Sequence, residues 1–180
     1  MLLSADRSAL LVIDIQERLL PAVQEPDRVV ARSRILLQAA AALNVPVFAS
    51  EQYSKGIGRT VAPVAELLPE SACFEKITFS CAGEPPIMAA LNAVGRDQIV
   101  LCGIESHVCV LQTALALRAL GRDVYVVADA VSSRNPRDME LGLARMAREG
   151  VRMISSEMAV FEWMARAGTP IFKQLSALIK

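Results

Sequence analysis

The chain has 180 residues, 53% of them hydrophobic, and its 19 basic residues balance its 19 acidic ones. This length predicts one domain, residues 1–180, around a largely buried core. A net charge of zero without a cluster of Lys and Arg gives no electrostatic reason to expect nucleic acid or an anionic membrane as a partner, and no apolar stretch approaches the roughly 20 residues of a membrane-spanning helix.

The first third of the chain alternates an apolar run, an amphipathic segment and a second apolar run. Residues 9–13 are continuously apolar and end at Asp14, which is typical of a strand buried on both faces. One apolar face predicts a helix over 27–43, and a second strand follows at 47–50. Residues 51–60 contain two glycines and predict a loop.

The same alternation continues to the end of the chain. The remaining predicted elements, in chain order, are a strand at 73–76, a helix at 85–94, a strand at 98–102, a helix at 106–120, a strand at 123–127, a helix at 136–149, a strand at 151–154, and short helices at 157–165 and 170–179. Strands alternating with helices predict βαβ units. The expected fold class is therefore α/β: a three-layer α/β/α sandwich around a mostly parallel, six-stranded, Rossmann-like sheet.

Three polar residues follow predicted strands at positions suited to chemistry. Asp14 ends the first strand, Lys76 ends the third, and Cys109 lies just beyond the fourth. Ligands of open α/β sheets bind beyond the carboxyl ends of the strands. Each residue alone also has a simpler explanation: an Asp that caps a turn, a solvated Lys, and a Cys that acts as a small buried hydrophobe.

The surroundings of Cys109 favour a nucleophile. Ser106 is a suitable N-cap, which would place Cys109 at the third helical position, where the helix dipole and a nearby Lys favour a thiolate. His107 is the only histidine, but residues two apart at a helix start point to different sides. We therefore expect His107 to make a structural or interface hydrogen bond instead of sharing a proton with Cys109.

Metal and nucleotide chemistry lack their usual signals. A catalytic zinc needs about three His, Cys or carboxylate ligands, and the loop at 51–60 has no histidine. Its two glycines, Gly56 and Gly58, match neither a dinucleotide-binding motif nor a P-loop. We expect no metal and no cofactor, and we interpret this loop as a flexible segment of the substrate site.

The cysteines and the N-terminal segment indicate a reducing compartment. The four cysteines form no C-x-x-C pair, which favours free thiols. Residues 1–6 lack the basic region followed by an apolar core that marks a signal peptide. We therefore expect a cytoplasmic protein.

Taken in order, these motifs resemble those of the isochorismatase-like cysteine hydrolases along the whole chain. The first-strand motif is 10–16 (LLVIDIQ), the lysine motif is Glu75-Lys76, and the nucleophile turn is 103–113 (GIESHVCVLQT). Segments 50–58 (SEQYSKGIG), 130–134 (AVSSR) and 170–173 (PIFK) resemble the branch of isochorismatase-domain proteins found in mammals and their bacterial relatives.

The resemblance implies a catalytic triad of Asp14, Lys76 and Cys109. It also implies a cis peptide between Ile104 and Glu105, with the backbone amides of Glu105 and Cys109 forming an oxyanion hole. The metal-binding Asp/His set of the nicotinamidases has no counterpart here, and enzymes that hydrolyse isochorismate lack the nucleophilic cysteine. The implied activity is therefore metal-independent hydrolysis of a small amide-type (C–N) substrate through a thioester.

Other interpretations stay open at this point. One is a catalytically silent, oligomeric binding or scaffold protein that keeps the fold; another is a redox sensor in which Cys81 or Cys102 resolves an oxidised Cys109, although no spacing supports it. The apolar C-terminal segment, which includes Phe161 and Trp163, predicts a homo-oligomer, dimer or higher, under either function. Gln52 and Tyr53 are the candidate substrate-binding residues, and a small molecule is the expected partner.

Overall fold

Six parallel strands form the centre of the molecule. The computed structural model describes residues 1–69 and 71–179, so the predicted domain end at Lys180 lies outside the described residues. The strands are β1 (Ser8–Ile13), β2 (Val47–Gln52), β3 (Cys73–Lys76), β4 (Gln98–Ile104), β5 (Asp123–Ser132) and β6 (Arg152–Ile154). Their order in the sheet is β3-β2-β1-β4-β5-β6, and every pairing is parallel. The predicted fold class is confirmed.

Helices cover both faces of the sheet. They are α1 (Pro26–Ala42), α2 (Ser54–Ile57), α3 (Ala62–Ala65), α4 (Pro85–Ala93), α5 (Leu111–Ala119), α6 (Pro136–Arg148), α7 (Ser156–Met164) and α8 (Pro170–Ser176). Short 3-10 turns lie at Ala5–Arg7, Leu20–Ala22 and Cys81–Gly83, and a π-helical turn at Ser106–Val110 precedes α5.

Two apolar layers hold these helices against the sheet. Alternate residues of β1 point to opposite layers: Leu10 and Val12 pack with α1 and α7, whereas Leu11 and Ile13 pack with α4 and α5. Both faces of β1 are therefore buried, which explains why its sequence is a continuous apolar run. Trp163, which we had placed in an oligomer interface, is 3% exposed in the first layer and donates its indole N–H to Ser8 Oγ at 2.9 Å.

The structure corrects three element boundaries. β2 continues through Glu51 and Gln52, which pair with β3, so the predicted loop begins later and contains the helical turn α2. β5 continues to Ser132, because Val131 and Ser132 pair with the end of β4 after a register shift that leaves extra residues in β5. The predicted helix at 106–120 is two pieces, a π-helical turn followed by α5.

Candidate active site

The three predicted catalytic residues lie together at the carboxyl edge of the sheet. Asp14 directly follows β1 and Cys109 lies in the turn after β4, which is the neighbour of β1. The strand order reverses direction between these two strands, and a crevice for ligands forms at such a switch point. Lys76, the last residue of β3, reaches this point across β2.

The Lys76 ammonium group joins the other two side chains. Lys76 Nζ lies 2.8 Å from Asp14 Oδ2 and 3.6 Å from Cys109 Sγ. It also donates to Gln52 Oε1 at 2.5 Å and to the carbonyls of Thr78 and Phe79 at 3.2 Å each. The side chains of Lys76 and Asp14 are 0% exposed. A lysine this deeply buried requires such a complete set of acceptors, because an unpaired charge would be expensive to desolvate.

The two oxygens of the buried Asp14 carboxylate have different neighbours. Its backbone is in the left-handed region, with φ 51°, which Asp tolerates better than most residues. Ser50 Oγ donates to Asp14 Oδ1 at 2.7 Å. Asp14 Oδ2 has no hydrogen-bond partner in a favourable direction among the described residues, although Lys76 Nζ is close. Oδ2 is therefore the carboxylate oxygen that faces Lys76, whereas Oδ1 faces Ser50.

The electrostatics of Cys109 differ from the sequence expectation. Burial raises the pKa of the Cys109 thiol to about 12; the Asp14 carboxylate adds to this shift, and Lys76 only partly opposes it. A thiolate favoured by the helix start and by Lys76 is thus the wrong description of the free protein. The thiol is protonated at neutral pH, so an attack by sulfur needs a base beside it.

The pKa values of the other two residues, Asp14 and Lys76, are also shifted by burial and by their neighbours. Burial raises the pKa of Asp14 above its ordinary value, although Lys76 and Ser50 both pull it down. Burial would lower the pKa of Lys76, but the pKa lies above its ordinary value, and the negative charge of Asp14 is the largest of the causes that raise it. Lys76 is therefore a fixed cation, whereas Asp14 is a carboxylate whose proton affinity is increased toward that of a general base.

A tight turn positions Cys109. The peptide bond between Ile104 and Glu105 is cis, as the resemblance implied. Gly103 has φ +116°, and a Cβ there would lie 2.0 Å from the carbonyl oxygen of Ile13, so only glycine allows β4 to run this close to β1. Glu105 is the N-cap residue and Ser106 begins the π-helical turn, which corrects the predicted cap at Ser106.

Side chains fasten this turn to the segment after β5. Glu105 Oε1 accepts hydrogen bonds from Arg134 N and Arg134 Nε, both at 3.0 Å. His107 Nδ1 lies 2.9 Å from Ser133 Oγ, so the structural hydrogen bond expected of His107 is confirmed. The backbone amides of Glu105 and Cys109, predicted to form the oxyanion hole, both belong to this fastened turn.

The two predicted substrate-binding residues lie in different environments. Gln52 is buried, and both polar atoms of its side chain are bonded within the protein, Oε1 to Lys76 and Nε2 to the carbonyl of Ile77 at 2.8 Å. Tyr53 is 51% exposed. It borders a depression of about 380 Å³ that Lys76 also lines, together with Lys55, Glu75, Ile77 and Glu84. Tyr53 therefore lies at the edge of this depression, whose lining includes Lys76 but neither Asp14 nor Cys109, whereas Gln52 is buried against Lys76.

Two groups near the trio lay outside the predicted triad. Ser50 ends the predicted second strand, so it lies at the same edge of the sheet as Asp14. That position is the only sequence signal that could have placed it in the site. Cys81 Sγ lies 3.5 Å from Ser50 Oγ, so this thiol, predicted only as a possible redox partner of Cys109, is next to the hydroxyl that contacts Asp14. Cys102 is fully buried in β4, and all four cysteines are free.

Within residues 1–69 and 71–179, no group of three or more His, Cys, Asp or Glu side chains is arranged to hold a metal ion. No helix among these residues is both long and apolar enough to cross a membrane.

Comparisons with known proteins agree with this architecture. The family model of the isochorismatase domain matches residues 8–158. "Isochorismatase domain-containing protein 1" of Danio rerio is 39% identical over 179 residues, which are 99% of this chain and 62% of that protein. The chain thus spans less than two thirds of this relative's length.

Solved structures superpose on nearly the whole chain. The "MAR1 Ribonuclease" of Caenorhabditis elegans gives a TM-score of 0.93 at 36% identity and covers 99% of this chain and 92% of its own. The YcaC gene product of Escherichia coli, described as "an octameric hydrolase of unknown specificity", gives a TM-score of 0.93 at 23% identity. That superposition covers 99% of this chain and 90% of the YcaC chain. At that identity, the second likeness concerns the fold alone.

Proposed function

The chain belongs to the isochorismatase family, and from that premise we propose that it is a metal-independent cysteine hydrolase of small amide-type substrates. The observation that carries the proposal is the position of Lys76 Nζ, 2.8 Å from the Asp14 carboxylate and 3.6 Å from the Cys109 sulfur. A carboxylate, a fixed cation and a thiol are the groups that acyl transfer through sulfur requires.

The proposed reaction has two stages. Asp14 Oδ2 accepts the proton of Cys109 as the sulfur attacks the acyl carbon, and the carbonyl π electrons move to the oxygen. The backbone amides of Glu105 and Cys109 donate to this oxyanion. Asp14 then gives its proton to the leaving nitrogen as the C–N bond breaks. Water, deprotonated by Asp14, cleaves the resulting thioester and restores the thiol and the free acid.

In this scheme Lys76 stays protonated throughout. Its position between Asp14 and Cys109 lets it stabilise the negative charge on either group, so the charge moves from oxygen to sulfur within reach of one cation. Because both ends are buried, this interaction is much less screened than it would be at the surface.

The ribonuclease name of the Caenorhabditis elegans relative suggests a different substrate, but the chemistry of this site favours acyl transfer. The single histidine, His107, is bonded to Ser133 through Nδ1. The chain has no net charge with which to attract a polyanion. We therefore also propose that the partner is a small molecule and, in line with the octameric fold relative, that the chain forms homo-oligomers in the cytoplasm.

A panel of small amides and ureides tests the proposed hydrolysis. Cys109→Ala should abolish turnover and any acyl adduct, whereas Cys102→Ala, which removes a buried thiol from β4, should keep both. A short RNA belongs in the panel as a comparison. Undiminished amide hydrolysis by Cys109→Ala would reject the nucleophile; no hydrolysis and no adduct with any acyl compound would favour the silent binding protein.

A further inference from the structure

A serine hydroxyl contacts the Asp14 carboxylate, and a second thiol lies next to that hydroxyl. Ser50 is 1% exposed in β2, its Oγ is 2.7 Å from Asp14 Oδ1, and its backbone carbonyl accepts from Asp14 N at 3.1 Å. Cys81 Sγ lies 3.5 Å from Ser50 Oγ and is fully buried. The base is therefore held by Ser50 through both its backbone and its side chain.

The direction of these hydrogen bonds follows from the protons available. An ionised carboxylate can only accept, and a serine hydroxyl has a single proton to donate. Ser50 must therefore donate to Asp14 Oδ1, and the Cys81 thiol donates to Ser50 Oγ. This arrangement occupies Oδ1 and leaves Oδ2 as the oxygen that faces Lys76.

The arrangement remains intact when Asp14 carries a proton. If the thiol proton of Cys109 moves to Oδ2, Oδ1 keeps its lone pairs and still accepts from Ser50. No side chain has to turn between the two protonation states. The bond is nevertheless stronger to the ionised carboxylate, because charge-assisted hydrogen bonds are the stronger kind.

We propose that Ser50 is a positioning residue that selects Oδ2 of Asp14 as the basic oxygen and keeps this carboxylate ionised between turnovers. The inference rests on the proposed function, in which Asp14 is the general base. Ser50 acts through Asp14 and does not touch the reacting atoms.

The charged and titratable groups around Asp14 give the sign of the expected effect. Lys76 faces it from β3, Cys109 from the turn after β4, and Cys81 from the 3-10 turn Cys81–Gly83. Burial raises the pKa of Asp14, and the Ser50 hydrogen bond is one of the contacts that lower it. Removing the hydroxyl should raise this pKa further, so a larger fraction of Asp14 is protonated and inactive at mildly acidic pH.

The first test is the pH profile of kcat/KM for Ser50→Ala. Loss of a hydrogen bond to a charged group should move the acidic limb of the profile upward by about one pH unit. At pH values below that limb, kcat/KM of Ser50→Ala should then be roughly tenfold lower than that of the wild type. Ser50→Thr keeps the hydroxyl and should restore the limb. Ser33→Ala is the matched control, because Ser33 is a fully buried serine of α1 in the other apolar layer. An acidic limb of Ser50→Ala that coincides with that of the wild type would overturn the proposal.

The second test needs no turnover. The carboxyl carbon of Asp14, assigned by its absence in Asp14→Asn, is titrated by ¹³C NMR in the wild type and in Ser50→Ala. An upward shift of about one unit supports the role of Ser50 even if no amide is hydrolysed, in which case only the proposed function fails. If Ser50→Ala does not fold, Ser50→Cys keeps the volume with a weaker donor and should give a smaller upward shift; no shift in a folded variant rejects the proposal.

Discussion

Replacing Asp14 with Asn should make Cys109 more acidic and at the same time inactive as a nucleophile in turnover. The Asp14 carboxylate is one of the causes that raise the pKa of this thiol to about 12. Asn removes the negative charge and leaves Lys76 facing the sulfur alone. Hydrolysis is lost because no base remains to take the thiol proton and return it to the leaving nitrogen.

The size of the pKa change follows from the distances in the site. Lys76 Nζ is 2.8 Å from Asp14 Oδ2 and 3.6 Å from Cys109 Sγ, so the carboxylate and the sulfur are no more than about 6.4 Å apart. At an effective dielectric constant of about 20, two unit charges at this distance repel by roughly 2.6 kcal/mol, or about two pKa units. The pKa of the Cys109 thiol should therefore be clearly lower in Asp14→Asn than in the wild type, while kcat/KM falls by at least roughly 100-fold.

The assay is the rate of alkylation of Cys109 by iodoacetamide as a function of pH. A Cys73→Ser background is needed, because Cys73 is exposed and would react as well. Asp97→Asn is the control, since this carboxylate precedes β4 at the opposite end of the sheet and pairs with Arg7. An alkylation pKa in Asp14→Asn equal to that of the wild type, or higher, would refute the coupling between base and nucleophile.

Three further predictions concern stability and binding. Lys76→Met leaves Asp14 as an unpaired buried charge and should reduce the free energy of unfolding, measured in urea, by about 3–5 kcal/mol. The double variant Asp14→Asn/Lys76→Met should lose less stability than the sum of the two single variants. Additive losses would contradict the buried ion pair. Gly103→Ala brings a Cβ against the Ile13 carbonyl and should lower the free energy of unfolding by more than about 3 kcal/mol. The control Gly95→Ala, whose Cβ meets no atom within 4 Å, should lower it by about 1 kcal/mol. Equal losses in the two variants would reject the close approach of β4 to β1. Tyr53→Ala, at the edge of the depression that Lys76 also lines, should raise KM several-fold with kcat nearly unchanged. An unchanged KM in steady-state kinetics would remove Tyr53 from the predicted substrate contacts.

Much of the fold follows from the sequence because the strands are buried on both faces. A run such as residues 9–13 has no polar side to present to water, so its place at the centre of a parallel sheet could be predicted. Less predictable were the ends of β2 and β5. Their last residues are held by pairing to neighbouring strands and, at Gln52, by a bond to Lys76, neither of which is visible in local patterns.

The site shows a similar division. Strand ends pointed to Asp14 and Lys76, and the turn after β4 pointed to Cys109, because parallel strands deliver their carboxyl ends to one edge. The pKa of Cys109 could not be predicted in this way, since its sign depends on burial in three dimensions and on the distance to Asp14. The position of Cys81 beside Ser50 likewise depends on how the 3-10 turn packs under α5, through the bond from Cys81 N to Thr113 Oγ1 at 2.9 Å.

The most direct measurement is mass spectrometry of the wild-type chain, quenched with acid during incubation with small amides and ureides. The account predicts an increase equal to the acyl group, located on the peptide that contains Cys109, absent from Cys109→Ala and present in Cys102→Ala. Amide hydrolysis that proceeds without any adduct on Cys109, and that continues in Cys109→Ala, would contradict it.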